Sequence, residues 1–167
     1  LKSFALTPAH IAEGFRSVSW PARLQRLISG PIIDTVPQDW EVWLDGGHNP
    51  DAGETIARHV QKEWAARPLH LISGMINSKQ PLGYFKPLAG LAASVHCVTI
   101  PGEAAAIPAE ELAAIANRAG MHAVTAETAI DAAHAVIRQA QTAALGPARI
   151  MICGSLYLAG HILSDHQ

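Results

Sequence analysis

Trp43-Leu44-Asp45-Gly46-Gly47-His48-Asn49-Pro50 compresses a strand end, a glycine turn, three polar side chains and a helix start into one short stretch. The apolar lead-in of Trp40, Val42, Trp43 and Leu44 reads as a buried strand. Pro50 suits the first turn of a helix, where its missing N–H is not needed. Asp45, His48 and Asn49 then stand at the carboxyl end of a strand, the edge at which open α/β sheets bind ligands. Asp45 is a carboxylate fixed ahead of a glycine pair, suited to accept a pair of ribose hydroxyls or a ligand ammonium. His48 can donate to a carboxylate or phosphate, and Asn49 can cap the helix that follows. The same residues also fit a plain turn in which Asp45 and Asn49 satisfy local backbone groups.

Upstream, Thr7-Pro8 opens a short helix with Ile11 and Phe15 on one face. Leu24-Gln25-Arg26-Leu27-Ile28 reads as a strand ended by Ser29-Gly30-Pro31, set to pair antiparallel with Glu41–Asp45. Downstream the pattern is regular. A helix over 51–66 carries Ile56, Val60 and Trp64, and a strand over 69–75 precedes a helical segment near 82–91. A strand over 94–100, a helix over 108–119 and a strand over 122–126 follow. A helix over 127–143 buries Ile130, Ala133, Val136, Ile137 and Ala140. A strand over 149–153 and a terminal helix from Ser155 close the series. No convincing linker appears, and the only soft spots are residues 29–39, residues 76–81 and the loop around 101–107. The pattern predicts a single α/β domain over 1–167, Rossmann-like and three-layered, its mainly parallel sheet of about six strands, one antiparallel, flanked by helices.

A chain of 167 residues with 49% hydrophobic and 16% charged side chains can bury a sizeable core and is not disordered over most of its length. A net charge of −2, with no run of Lys or Arg, argues against nucleic-acid partners. No apolar stretch approaches the roughly 20 residues needed to span a bilayer, and no signal peptide is visible. The expected location is the cytoplasm, with Cys97 and Cys153 as free thiols in buried strands. The chain begins with Leu1 and enters a helix almost at once, as a piece of a longer protein does.

Three further positions carry candidate chemistry. Gly154-Ser155 at the turn from the last strand can offer N–H groups and a hydroxyl to an anion, or Ser155 can simply cap the helix. Arg23, in Trp20-Pro21-Ala22-Arg23-Leu24, can grip a phosphate bidentately or form a surface ion pair. Lys79, in the loop after the second parallel strand, can add positive charge at the same edge or remain solvated. His10, His59, His70, His96, His122, His134, His161 and His166 are scattered and give no metal-type spacing. The chain has no nucleophile elbow, phosphate loop or dinucleotide fingerprint, so a bound nucleotide needs its phosphates held largely from elsewhere.

The motifs and their order resemble the C-terminal domain of the folylpolyglutamate synthase and dihydrofolate synthase family, within the Mur ligase superfamily. Trp20-Pro21-Ala22-Arg23-Leu24 is similar to the family's Trp-Pro-Gly-Arg-Leu, and Leu44–Pro50 to its Leu-Asp-Gly-Ala-His-Asn-Pro. Gly74-Met75 and Gly154-Ser155-Leu156-Tyr157 complete the set. The resemblance implies an ATP-dependent amide ligase acting in folate metabolism: ATP phosphorylates a carboxylate, and the amine of L-glutamate displaces phosphate from the acyl phosphate. Arg23 and His48 match catalytic positions, and Arg23, Asp45, His48, Asn49, Lys79 and Ser155 match ATP- or glutamate-contacting ones.

The resemblance also implies an N-terminal ATPase domain that carries the phosphate loop, the Mg2+ ligands and most of the site for dihydropteroate or folate. This domain alone is then inactive, has no metal ligands of its own, and belongs to a monomer. Two positions depart from the family pattern. Ser78-Lys79-Gln80 replaces Asp-Lys-Asp, and Ala22 replaces glycine. A Mur-type ligase for another amino acid, or a non-catalytic binding module, remain the alternatives.

Overall fold

The computed structural model describes residues 6–18, 20–77, 80–143 and 146–164. In chain order the elements are α1 (Pro8–Ser17), β1 (Gln25–Leu27), α2 (Pro31–Thr35), β2 (Glu41–Asp45), α3 (Pro50–Glu63), β3 (Leu69–Ser73), α4 (Pro81–Phe85) with a 3-10 turn at Lys86–Leu88, β4 (Ala92–Cys97), α5 (Ala109–Arg118), β5 (Ala123–Thr125), α6 (Ala129–Thr142), β6 (Arg149–Cys153) and α7 (Leu156–Ser164).

The strands form one six-stranded sheet in the order β1-β2-β6-β3-β4-β5. β1 runs antiparallel to β2, with Gln25 opposite Leu44, and the other pairs are parallel. Strands β3 and β6 are buried along their whole length, as central strands covered on both faces must be. Their alternation sorts the core into two layers. Leu69, Leu71, Met151 and Cys153 pack with α3, α4 and α5, whereas Ile72, Ile150 and Ile152 pack with α2, α6 and α7. β6 returns between β2 and β3, and α7 after it packs on the opposite face from α3 and α4, which follow β2 and β3. The carboxyl edge is therefore open at β2, β6 and β3, a topological switch point.

The structure departs from the sequence expectations in several places. Residues 29–39 include the short helix α2, whose Ile32 is buried. The helical segment near 82–91 is two short pieces. β4 begins at Ala92 and stops at Cys97, although Val98 and Ile100 are buried; its pairings with β3 and β5 both end at Cys97, and beyond it Val98 N–H still donates to Ser73 O at 2.9 Å. On α6 the buried positions are Ala132, Ala133, Val136 and Ala140, and Ile130 and Ile137 pack half-buried at the rim. Small residues let the helix sit close to the sheet. Ile11 and Phe15 share a face of α1 as expected, but α1 buries none of its residues and Phe15 is 79% exposed.

His70 and His96 lie within the sheet, and His70 Nδ1 meets Ser94 Oγ at 2.8 Å. Burial, aided by the nearby His96, pushes His70 down from 6.5 to about 4. Burial lowers His96 as well. An unfolded chain takes up a proton below pH 6.5 that the folded chain refuses until about pH 4. Stability should be flat above pH 7 and fall across that window, by up to about 3 kcal/mol for His70 alone. Urea midpoints at pH 7.5 and 5 measure the loss, and His70→Gln should flatten the slope; an unchanged slope in that variant contradicts the assignment.

Candidate functional site

The site grows from two chain segments meeting at the end of β2. The ladder between β1 and β2 stops at the Gln25–Leu44 pair, and the next step is made by a side chain: Asp45 Oδ2 accepts from Leu24 N–H at 2.9 Å. Asp45 Oδ1 accepts from Gly47 N–H at 2.7 Å, and Gly46 N–H donates to Ala22 O at 2.8 Å. These bonds hold residues 22–24 against the Asp45–Gly47 turn. A crevice of about 330 Å³ results, whose polar lining is Arg23, Asp45, His48, Asn49, Asp51 and Thr55.

Arg23 is exposed at the mouth of the crevice, with its guanidinium carbon 5.8 Å from the centre of the Trp20 ring. Its Nη1 reaches Ala22 O at 3.4 Å, a long contact that leaves most of its donors to solvent or a ligand. Asp45 is 7% exposed, and both its oxygens are engaged by backbone N–H groups, so the turn reading and the ligand reading apply to the same carboxylate. His48 Nδ1 lies 2.9 Å from Gly46 O. A carbonyl only accepts, so Nδ1 carries the proton and the neutral ring presents Nε2 as an acceptor. Donation by His48 to a phosphate therefore requires the imidazolium. Asn49 Oδ1 accepts from Ala52 N–H and caps α3, which leaves its NH2 group for any ligand contact.

Ser155 stands at the end of β6, where Asp45 pairs with Cys153. It is buried, and Oγ accepts from Tyr157 N–H at 3.0 Å in the first turn of α7, so the capping reading holds. It is not among the crevice residues. Lys79 lies outside the described residues. Beneath the edge, burial pushes the Cys153 and Cys97 thiols up to about 12, which makes both inert core groups and not nucleophiles. Sequence reading missed Asp51 and Thr55. They lie four positions apart on the first turns of α3, the spacing that places two side chains on one helix face.

Among the described residues no group of three or more His, Cys, Asp or Glu is placed to hold a metal ion, and no helix is long and apolar enough to cross a membrane. A separate, mainly apolar cavity of about 170 Å³ lies between α2, α6 and α7. Its two threonines are already engaged, Thr99 with Ala109 N–H and Thr128 with Asp131.

The architecture and the polar corner at the β2 end define an α/β domain with its ligand edge at a topological switch point. Residues 31–165 match the family model described as dihydrofolate synthetase, C-terminal domain, and the chain belongs to that family. A folylpolyglutamate synthase of Lacticaseibacillus casei is 29% identical over 103 residues, 62% of this chain and 22% of the relative. A Mycobacterium tuberculosis folylpolyglutamate synthase, solved with ADP and AMPPCP, aligns with a TM-score of 0.78 at 27% identity, over 98% of this chain and 37% of that one. A bifunctional folylpolyglutamate synthase/dihydrofolate synthase with Mn, AMPPNP and L-glutamate bound shares the fold, with a TM-score of 0.69 at 20% identity, over 96% of this chain and 35% of that one. The chain thus spans between a fifth and two fifths of the length of these relatives.

Proposed function

We propose that this chain is the C-terminal domain of an ATP-dependent ligase that joins L-glutamate to dihydropteroate, to a folylpolyglutamate, or to both. The observation that carries the reading is the convergence of Arg23, Asp45 and His48 on one crevice at the carboxyl edge, in a chain of this family. In the reaction a substrate carboxylate oxygen attacks the γ-phosphorus of ATP and ADP leaves. The glutamate amine then attacks the acyl carbon, phosphate leaves, and the amine proton is lost.

Arg23 supplies charge to the transferring phosphoryl group, where stabilisation developed in the transition state raises the rate. Asp45 lines the crevice for the nucleotide ribose, and the Asn49 NH2 group stands beside it. His48 Nε2, an acceptor, is suited to the incoming ammonium. Lys79 and Ser155 are assigned to the phosphates or glutamate from the family pattern alone. Mg2+ would neutralise phosphate charge, and its ligands belong to an N-terminal ATPase domain. That domain also gives the exposed face of Ile11 and Phe15 on α1 a partner. The whole ligase is a cytoplasmic monomer, closed around ATP between its two domains.

The experiment joins this chain to its upstream domain and offers ATP, glutamate and a panel of acceptors. ADP release should depend on glutamate, with a product heavier by one glutamyl residue from dihydropteroate or folate, and the isolated chain should give none. Turnover of a muramyl precursor instead would identify another Mur-type ligase. No ADP release with any acceptor would leave a binding module.

A further inference from the structure

Among the described residues, the non-glycine positions with a positive φ are Ala22 at 56° and Leu24 at 40°, on either side of Arg23. Left-handed backbone at such residues is strained and persists only where the surroundings over-determine it. The surroundings here are specific. Ala22 is buried, its N–H donates to Gln25 Oε1 at 3.0 Å, and its carbonyl accepts from Gly46. Leu24 N–H has the carboxylate of Asp45. The second oxygen of that carboxylate is tied to Gly47 N–H, so the group bridges the turn after β2 and the loop before β1.

We propose that Asp45 is a positioning residue for Arg23: its carboxylate clips the strained 22–24 loop to the end of β2 and thereby sets where the guanidinium meets the transferring phosphate. This deepens the ligase reading and rests on it. Asparagine at 45 keeps one neutral acceptor for two backbone donors, Leu24 and Gly47, and alanine removes both acceptors, a charge-assisted bond being stronger than a neutral one. The loop then relaxes toward ordinary φ values, and Arg23 moves with it. Asp45 acts in this scheme through Arg23, a role beyond lining the crevice for the nucleotide ribose.

The test is a double-mutant cycle in the joined protein, with Asp45→Asn, Arg23→Ala and both together. Residues acting as one unit give non-additive losses. Asp45→Asn should lower kcat by about 10- to 100-fold, with a smaller change in the KM for ATP, and the double variant should be no worse than the poorer single one within about threefold. Ala22→Gly removes one left-handed penalty and should restore at least about threefold of the kcat lost in Asp45→Asn. In the same protein, hydrogen exchange at the peptide containing Leu24 should quicken in Asp45→Ala, which has no acceptor at 45, and not in Arg23→Ala. Multiplying losses, a pure KM effect, or unchanged Leu24 protection would overturn the proposal. Absence of glutamate-dependent ADP release from the unmutated protein would instead sink the ligase reading, and Leu24 exchange would still decide whether the clip exists.

Discussion

Gly154→Ala should destabilise the domain by about 2–5 kcal/mol, lowering its thermal midpoint by roughly 5–15 °C. Gly154 follows β6 with φ at +105°, a backbone state that L side chains rarely adopt. A Cβ there would lie 2.7 Å from Ser73 Oγ, 3.0 Å from Gly74 O and 3.0 Å from Met75 Cγ. Ser73 can rotate, but the Gly74 carbonyl belongs to the backbone of the neighbouring strand end. Backbone strain and overpacking therefore add at one site. Gly160 on α7 is the control: a Cβ there meets nothing within 4 Å, and Gly160→Ala should stabilise slightly through helix propensity. Calorimetry of both variants checks the pair, and a Gly154→Ala midpoint equal to that of the parent contradicts the close approach of β6 and β3 at the ligand edge.

Sequence reading recovered the fold because hydrophobic period and punctuation agree along most of this chain. Glu41–Asp45 and Arg149–Cys153 are bounded by turn residues, and the structure gives the same limits. The first antiparallel pair was expected from the succession of the two strands in the chain, and β1 and β2 pair that way. What could not be read is what depends on neighbours distant in sequence. Val98 and Ile100 look like strand residues because they are apolar and buried, but a ladder needs partner strands, and both β3 and β5 end opposite Cys97. The face of Ile11 and Phe15 is amphipathic, yet nothing among the described residues covers it.

The site shows the same division. Asp45, His48 and Asn49 fall within five consecutive residues, so their convergence followed from one turn, and Arg23 joined them through the antiparallel pairing of β1. The engagement of both Asp45 oxygens by Leu24 and Gly47 N–H was not readable, since Leu24 is 21 residues away and acts through its backbone. The left-handed φ values at Ala22 and Leu24 carry no side-chain signature. The His48 tautomer likewise depends on a carbonyl placed by the turn and not on residue type.

Arg23→Ala in the joined protein tests the central claim, that this edge completes a phosphoryl-transfer site. The guanidinium is exposed and makes a 3.4 Å contact with its neighbour's carbonyl, so its loss should leave the thermal midpoint within about 1 °C. A charge-assisted contact to phosphate contributes roughly 1.5–3 kcal/mol, which corresponds to about 10- to 100-fold in rate. Arg23→Lys keeps the charge, lacks the fork, and should fall between the two. The measurement is kcat for glutamate-dependent ADP release at saturating ATP. The account predicts a loss of at least about tenfold in Arg23→Ala with the fold intact; turnover equal to that of the parent would contradict it.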